Sequence, residues 1–101
     1  MIFFKAKIRL YQRTTDKNHG RLNPALPGYS PQINFDKTLI ACIIESPEEI
    51  IYLEKEYDVH LIIPRGQDYS LEWFQSGNKF KLNEASKVVG EGVVLNDVCF
   101  D

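Results

Sequence analysis

The sequence predicts an all-β fold, and three observations carry that prediction. Apolar and charged residues alternate strictly from Phe4 to Tyr11. Short β-branched and aromatic runs recur between clusters of Gly, Pro, Asn and Asp, and the last third contains a hairpin pattern with Gly90 and Gly92 inside one arm. A period of two is the mark of a strand buried on one face.

In the first strand Phe4, Ala6, Ile8 and Leu10 occupy the apolar face, and Lys5, Lys7 and Arg9 lie side by side on the other. Residues 12–28 form a long loop, punctuated by Asn18, Gly20, Pro24, Pro27 and Gly28. Loops of that length in a compact domain are usually functional or mobile. Gln32 to Phe35 begins a second strand and Thr38 to Glu45 a third. In the third, Leu39, Ala41 and Ile43 alternate with Ile40, Cys42 and Ile44, so both faces are apolar and both need cover, from the protein's own loops or from a partner protein.

Ser46-Pro47-Glu48-Glu49 reads as a turn and Ile50 to Leu53 as a short strand, favoured over a helical turn across 48–56 because Ile50-Ile51-Tyr52 is β-branched and aromatic. Val59, Leu61 and Ile63 alternate with their neighbours until Pro64-Arg65-Gly66 ends that strand. Lys79 to Asn83 and Lys87 to Leu95, joined by Glu84-Ala85-Ser86, form the terminal hairpin. Gly90 and Gly92 within its second arm mark a bulge, a barrel corner or a close backbone approach. Periodicity therefore gives an antiparallel barrel of six or seven strands, with residues 1–101 as one domain.

Composition sets bounds on function. With 101 residues, 44% hydrophobic and 26% charged, the chain supports one modest core and is not of disordered type. The longest apolar run, Leu39 to Ile44, is far short of a membrane span, and the start lacks a secretory leader, so a cytoplasmic protein is expected. Cys42 and Cys99 specify neither a metal site nor a disulfide framework. Net charge is −2, yet residues 1–21 hold Lys5, Lys7, Arg9, Arg13, Lys17 and Arg21 against Asp16 alone, which is either a basic patch for an anionic partner or simply a solvated strand face. Lys5, Lys7, Arg9 and Lys87 are the candidate phosphate contacts.

Chemistry-bearing motifs are missing. No phosphate-cradling Gly-x-x-x-x-Gly-Lys-Ser/Thr loop occurs, His19 and His60 lack partners at ligand spacing, and Ser30 and Ser86 lie in no nucleophile pattern. The pairs Glu48-Glu49 and Glu54 with Glu56 flank turns, where water levels the pKa values a catalytic pair must separate. The expectation is a protein without enzymatic activity, cofactor or metal.

Two blocks carry a family resemblance. Gly20-Arg21-Leu22-Asn23-Pro24-Ala25-Leu26-Pro27-Gly28-Tyr29-Ser30-Pro31-Gln32-Ile33-Asn34-Phe35 resembles Gly-Arg-His-Thr-Pro-Phe-Phe-Asn-Gly-Tyr-Arg-Pro-Gln-Phe-Tyr-Phe in the third domain of translation elongation factor Tu. Phe80 to Val94 is similar to that family's Phe-Ala-Ile-Arg-Glu-Gly-Gly-Arg-Thr-Val-Gly-Ala-Gly-Val-Val. The blocks keep the family's order and rough spacing, and the likeness runs from Phe4 to Leu95.

The resemblance implies a six-stranded antiparallel Greek-key β-barrel standing alone, without the family's nucleotide-binding domain and second barrel. It further implies binding of tRNA or of a protein of the translation machinery, with Arg21, Gln32 and Glu84 at the RNA surface. Leu22 replaces the family's histidine, and Asn83-Glu84-Ala85-Ser86-Lys87 replaces Arg-Glu-Gly-Gly-Arg. The stretch Arg65 to Asn78 is longer than the family's loop, and its Tyr69, Trp73 and Phe74 are either candidate anchors for a protein partner or a cover folded back over barrel surface that the missing domains leave bare. The alternative to RNA binding is a protein-interaction or regulatory module that keeps the barrel and uses those aromatics with the apolar strand at 39–44.

Overall fold

In the computed structural model, residues 2–15, 19–69, 71–96 and 99–100 are described, with residues 67, 99 and 100 by backbone only. Asp16 and Lys17 of the basic segment, the loop marker Asn18 and the Cys99 thiol fall outside that description. The elements are β1 (Ile2–Leu10), β2 (Gln32–Phe35), β3 (Thr38–Ala41), β4 (Ile43–Glu45), β5 (Glu56–Ile63), β6 (Lys79–Glu84), β7 (Lys87–Val94) and β8 (Cys99–Phe100), with two 3-10 turns, Gly66–Asp68 and Leu71–Phe74. All strand pairings are antiparallel, in the order β3-β2-β6-β7-β1-β5-β4, and β8 pairs with the start of β1.

Alternation along β1 turns Phe4, Ala6, Ile8 and Leu10 inward, where they meet Val59, Leu61 and Ile63 of β5 and Ile33 and Leu82 of β2 and β6. The curled sheet thus wraps one apolar interior. Gly90 lies opposite Leu10, and a Cβ there would stand 2.7 Å from the Arg9 carbonyl oxygen. Gly92 lies under the Phe80 ring, where a Cβ would come within 2.4 Å of Cζ. Both glycines are sites of close approach, and a bulge sits beside them: the register shifts between Leu82 and Asn83. The two hairpins turn on left-handed residues, Asp36 and Lys37 (φ 47° and 72°) and Ala85 (φ 56°).

Three sequence expectations change. Thr38 to Glu45 is not one continuous strand; it breaks at Cys42, because β3 bonds to β2 while β4 bonds to β5, at the other end of the sheet order. Cover of both faces by the protein's own loops is also corrected: Ile40, Cys42 and Ile44 are buried, but Leu39 and Ile43 remain 39% and 40% exposed, which leaves only the partner-protein alternative. Ile50 to Leu53 is no strand either. Ile51 alone makes an antiparallel bridge, to Ala25, and Glu54 turns the chain with φ 62°.

The long loop is tied down at several points along its length. Arg21 N donates to the Tyr11 carbonyl at 2.8 Å, Gly20 N to Val88 at 2.8 Å, and Ala25 exchanges two bonds with Ile51 at 3.0 and 2.9 Å. Gly20 (φ 79°) is required where this loop crosses Gln12, since a Cβ would stand 2.6 Å from that residue's backbone.

Candidate functional site

Arg21, Gln32 and Glu84 converge on one corner of the sheet. Glu84 ends β6, Gln32 opens β2 opposite Asn83 of β6, and the pinned loop brings Arg21 to Glu84 across 63 positions of sequence. The Arg21 guanidinium pairs with Glu84 Oε2, and its Nε donates to the Asn23 carbonyl at 3.1 Å. Lys87 Nζ lies 3.3 Å from Glu84 Oε1, and Tyr29 Oη donates to Oε2 at 2.6 Å. The Arg21 guanidinium carbon stands 4.3 Å over the Tyr29 ring, within cation–π range.

Electrostatics follow from this crowding. Burial pushes the Glu84 carboxyl up, but the Tyr29 hydrogen bond, Arg21 and Lys87 outweigh it and hold it below the usual carboxylate range. Tyr29 moves the other way, raised by burial and by its bond to the charged Glu84. Arg13, Arg21 and Lys87 line a groove of about 220 Å³ with Glu84 as its one acid, so cations are in excess there.

Beside it lies a cleft of about 640 Å³ lined by Gln32, Ala41, Asn83, Glu84 and Lys87 among others. Asn83 is 4% exposed; its amide nitrogen donates to the Ala85 carbonyl at 3.2 Å, which fixes its orientation. Its Oδ1, like the buried Oε1 of Gln32, has no hydrogen-bond partner among the described residues. Two orphan acceptors at a cleft suit a ligand bearing hydroxyl or amino donors.

The cations of β1 are placed differently. They share the outer face of the strand, but neighbouring strands answer them: Lys7 with Asp58 at 3.9 Å, Arg9 with Glu91 at 3.2 Å and Glu54 at 3.7 Å. Only Lys5, opposite His60, is without an ion pair among the described residues. Glu91 also accepts from Tyr11 Oη at 2.5 Å, and Lys81 Nζ donates to that same phenol oxygen at 3.1 Å. The Tyr11 bond and Arg9 hold the Glu91 carboxyl low against the opposing effect of burial. In both places the carboxyl is displaced downward, the direction opposite to that of a general acid at neutral pH.

The aromatic stretch after Arg65 folds back onto the sheet, the second of the two expectations for it, with Tyr69 and Trp73 keeping part of their surface. Phe74 is 0% exposed and packs on Phe4 at 5.5 Å and Phe35 at 5.6 Å between ring centroids. Trp73 stacks on Phe35 at 6.1 Å and Tyr69 on Trp73 at 6.2 Å, so both are half-buried against the core. The physical reason is tertiary: the rings cover the apolar side chains Phe4 and Phe35 of distant strands at that end of the sheet.

Tyr29 and Arg13 were not singled out from sequence. Tyr29 stands inside the first quoted block, which is the signal that marks it; Arg13 carries none beyond its charge. Among the described residues, no group of His, Cys, Asp and Glu is arranged to hold a metal ion, and no helix is long and apolar enough to cross a membrane. The sequence matches no family model.

Proposed function

We propose that the protein is a non-catalytic binding module of the elongation factor Tu third-domain kind, acting in translation by binding RNA, with tRNA as the first choice, at the Arg21–Glu84 corner. The observation that carries this reading is the convergence of Arg21, Gln32 and Glu84, the three residues the resemblance singles out, in one groove-and-cleft surface with Arg13 and Lys87. The fold is compatible with it: β3 and β4 taken as one bent strand, with β1, β2, β5, β6 and β7, make the six strands of such a barrel. In this reading Arg13, Arg21 and Lys87 meet phosphate, while the acceptors of Gln32 and Asn83 with Glu84 read 2′-hydroxyls or base amino groups.

The test is tRNA binding at low and at moderate salt by wild type, Arg21→Ala and Gln32→Ala. Salt-sensitive binding weakened by both substitutions supports the reading, and absence of binding at low salt sinks it.

A second reading, a protein-interaction module that has lost the RNA face, is favoured by one observation, the exposed row Leu39, Ala41 and Ile43 along β3 and β4. It predicts partner binding that survives moderate salt, since apolar contacts are not screened.

A further inference from the structure

A second concave surface adjoins the Arg21–Glu84 corner and shares Tyr29 with it, since that ring lines the surface and also lies under Arg21 and donates to Glu84. The turn through Leu26 and Pro27 and the bend after β4 enclose a groove of about 360 Å³. Ile44 and Ile51 form its apolar floor, and Leu26 stands over it 64% exposed. Its walls are fixed: Ala25 and Ile51 exchange two backbone bonds, Ile44 N donates to the Tyr29 carbonyl at 3.3 Å, and Glu48 N to Ser46 Oγ at 3.1 Å. A groove held in this way is preformed, and its size is that of an ordinary small binding site.

The rim supplies the chemistry of the occupant. Glu45, Glu48 and Glu49 line the groove, no basic side chain does, and none of the three carboxylates is ion-paired among the described residues. Three free carboxylates repel nucleic-acid phosphate, which removes RNA as the occupant. A second copy of this chain carries a net charge of −2, so its overall field does not draw it to an acidic rim.

What fits is a long cationic side chain laid with its methylene stem along Leu26 and Ile44 and its head among the glutamates. We propose that this groove docks a basic, apolar-rich peptide segment of a partner protein, in which Lys or Arg flanks a Leu-sized side chain. It does not depend on RNA binding at the Arg21–Glu84 corner.

The experiment is a titration of the ¹⁵N-labelled protein with a synthetic hexapeptide alternating Lys or Arg with Leu, beside its Glu–Leu counterpart. The basic peptide is expected to shift amides at 25–29 and 44–51, the acidic one to leave them in place. Glu48→Lys with Glu49→Lys, both on exposed turn positions, should weaken the basic peptide about tenfold or more, Leu26→Ser should weaken it about threefold, and Lys79→Ala on β6, which does not line the groove, should not change it. Equal response to both peptides, no response, or shifts centred on Arg21 and Glu84 would each overturn the proposal. So would displacement of the peptide by tRNA, or a concentration-dependent dimer that the double substitution dissolves, since that assigns the groove to a second copy.

Discussion

The outer face of β1 and the Arg21–Glu84 corner draw on the same stock of basic residues from the first twenty-one positions, and end in opposite electrostatic states. On β1, cross-strand register sets Lys7 against Asp58, and Glu54 and Glu91 gather round Arg9, so the strip is close to neutral. At the corner, Arg13, Arg21 and Lys87 share a single acid. A count of charges along the chain thus identifies a basic segment but not a basic surface. Which it becomes depends on what the neighbouring strand presents.

The largest expected difference between the two regions is in stability. Gly20→Ala forces a side chain into left-handed backbone and against Gln12, and should cost about 3 kcal/mol in urea unfolding. Lys5→Ala on β1 should stay within about 0.5 kcal/mol of wild type. Comparable losses for the two would mean the corner is no more tightly built than the strip.

Next comes the proposed RNA affinity: if the corner is the RNA surface, Arg21→Ala should weaken tRNA binding about tenfold in a low-salt anisotropy titration. Arg9→Ala, whose charge is already answered, should change it less than about twofold. The reverse order would move the binding surface to β1.

Acid sensitivity sharpens the contrast further. Glu84 and Glu91 both titrate below their ordinary range, so each adds stability that is present above pH 4.5 and is lost as pH falls through the lower folded value. Glu84 is the less exposed and contacts Arg21, Lys87 and Tyr29, so Glu84→Gln should flatten the fall in melting temperature between pH 5 and about pH 3 more than Glu91→Gln does. The smallest effect is expected from Ala85→Gly, which relieves φ 56° at the turn beside Glu84 and should add about 0.5 kcal/mol by chemical denaturation.

Legibility from sequence divides along a physical line. Features set by local periodicity were readable: the β1 alternation, the terminal hairpin, and the two glycines of its second arm as points of close approach. Features set by pairing between distant segments were not. Nothing in Leu39 to Ile44 marks a break, since each residue suits a strand; the interruption at Cys42 exists because two different strands claim the two halves. The fold-back of Trp73 and Phe74 was one of two readings the sequence allowed, and the choice between them depends on Phe4 and Phe35 being uncovered at that end, which no local pattern encodes. The cluster at the corner had a signal in the resemblance, but the loop bonds that carry Arg21 to Glu84, and the orphan oxygen of Asn83, had none.

The interruption at Cys42 has a bearing on how the molecule comes apart. β3 and β4 occupy the first and last places in the sheet order, yet they are consecutive in the chain, with the buried Cys42 amide held by the Pro31 carbonyl at 3.3 Å. Fraying at either margin therefore tugs directly on the opposite margin. The sheet should lose its borders together, so that amides on both sides of residue 42 exchange with solvent in one cooperative opening, and sticky free edges that invite chain-to-chain aggregation stay rare until the whole sheet lets go.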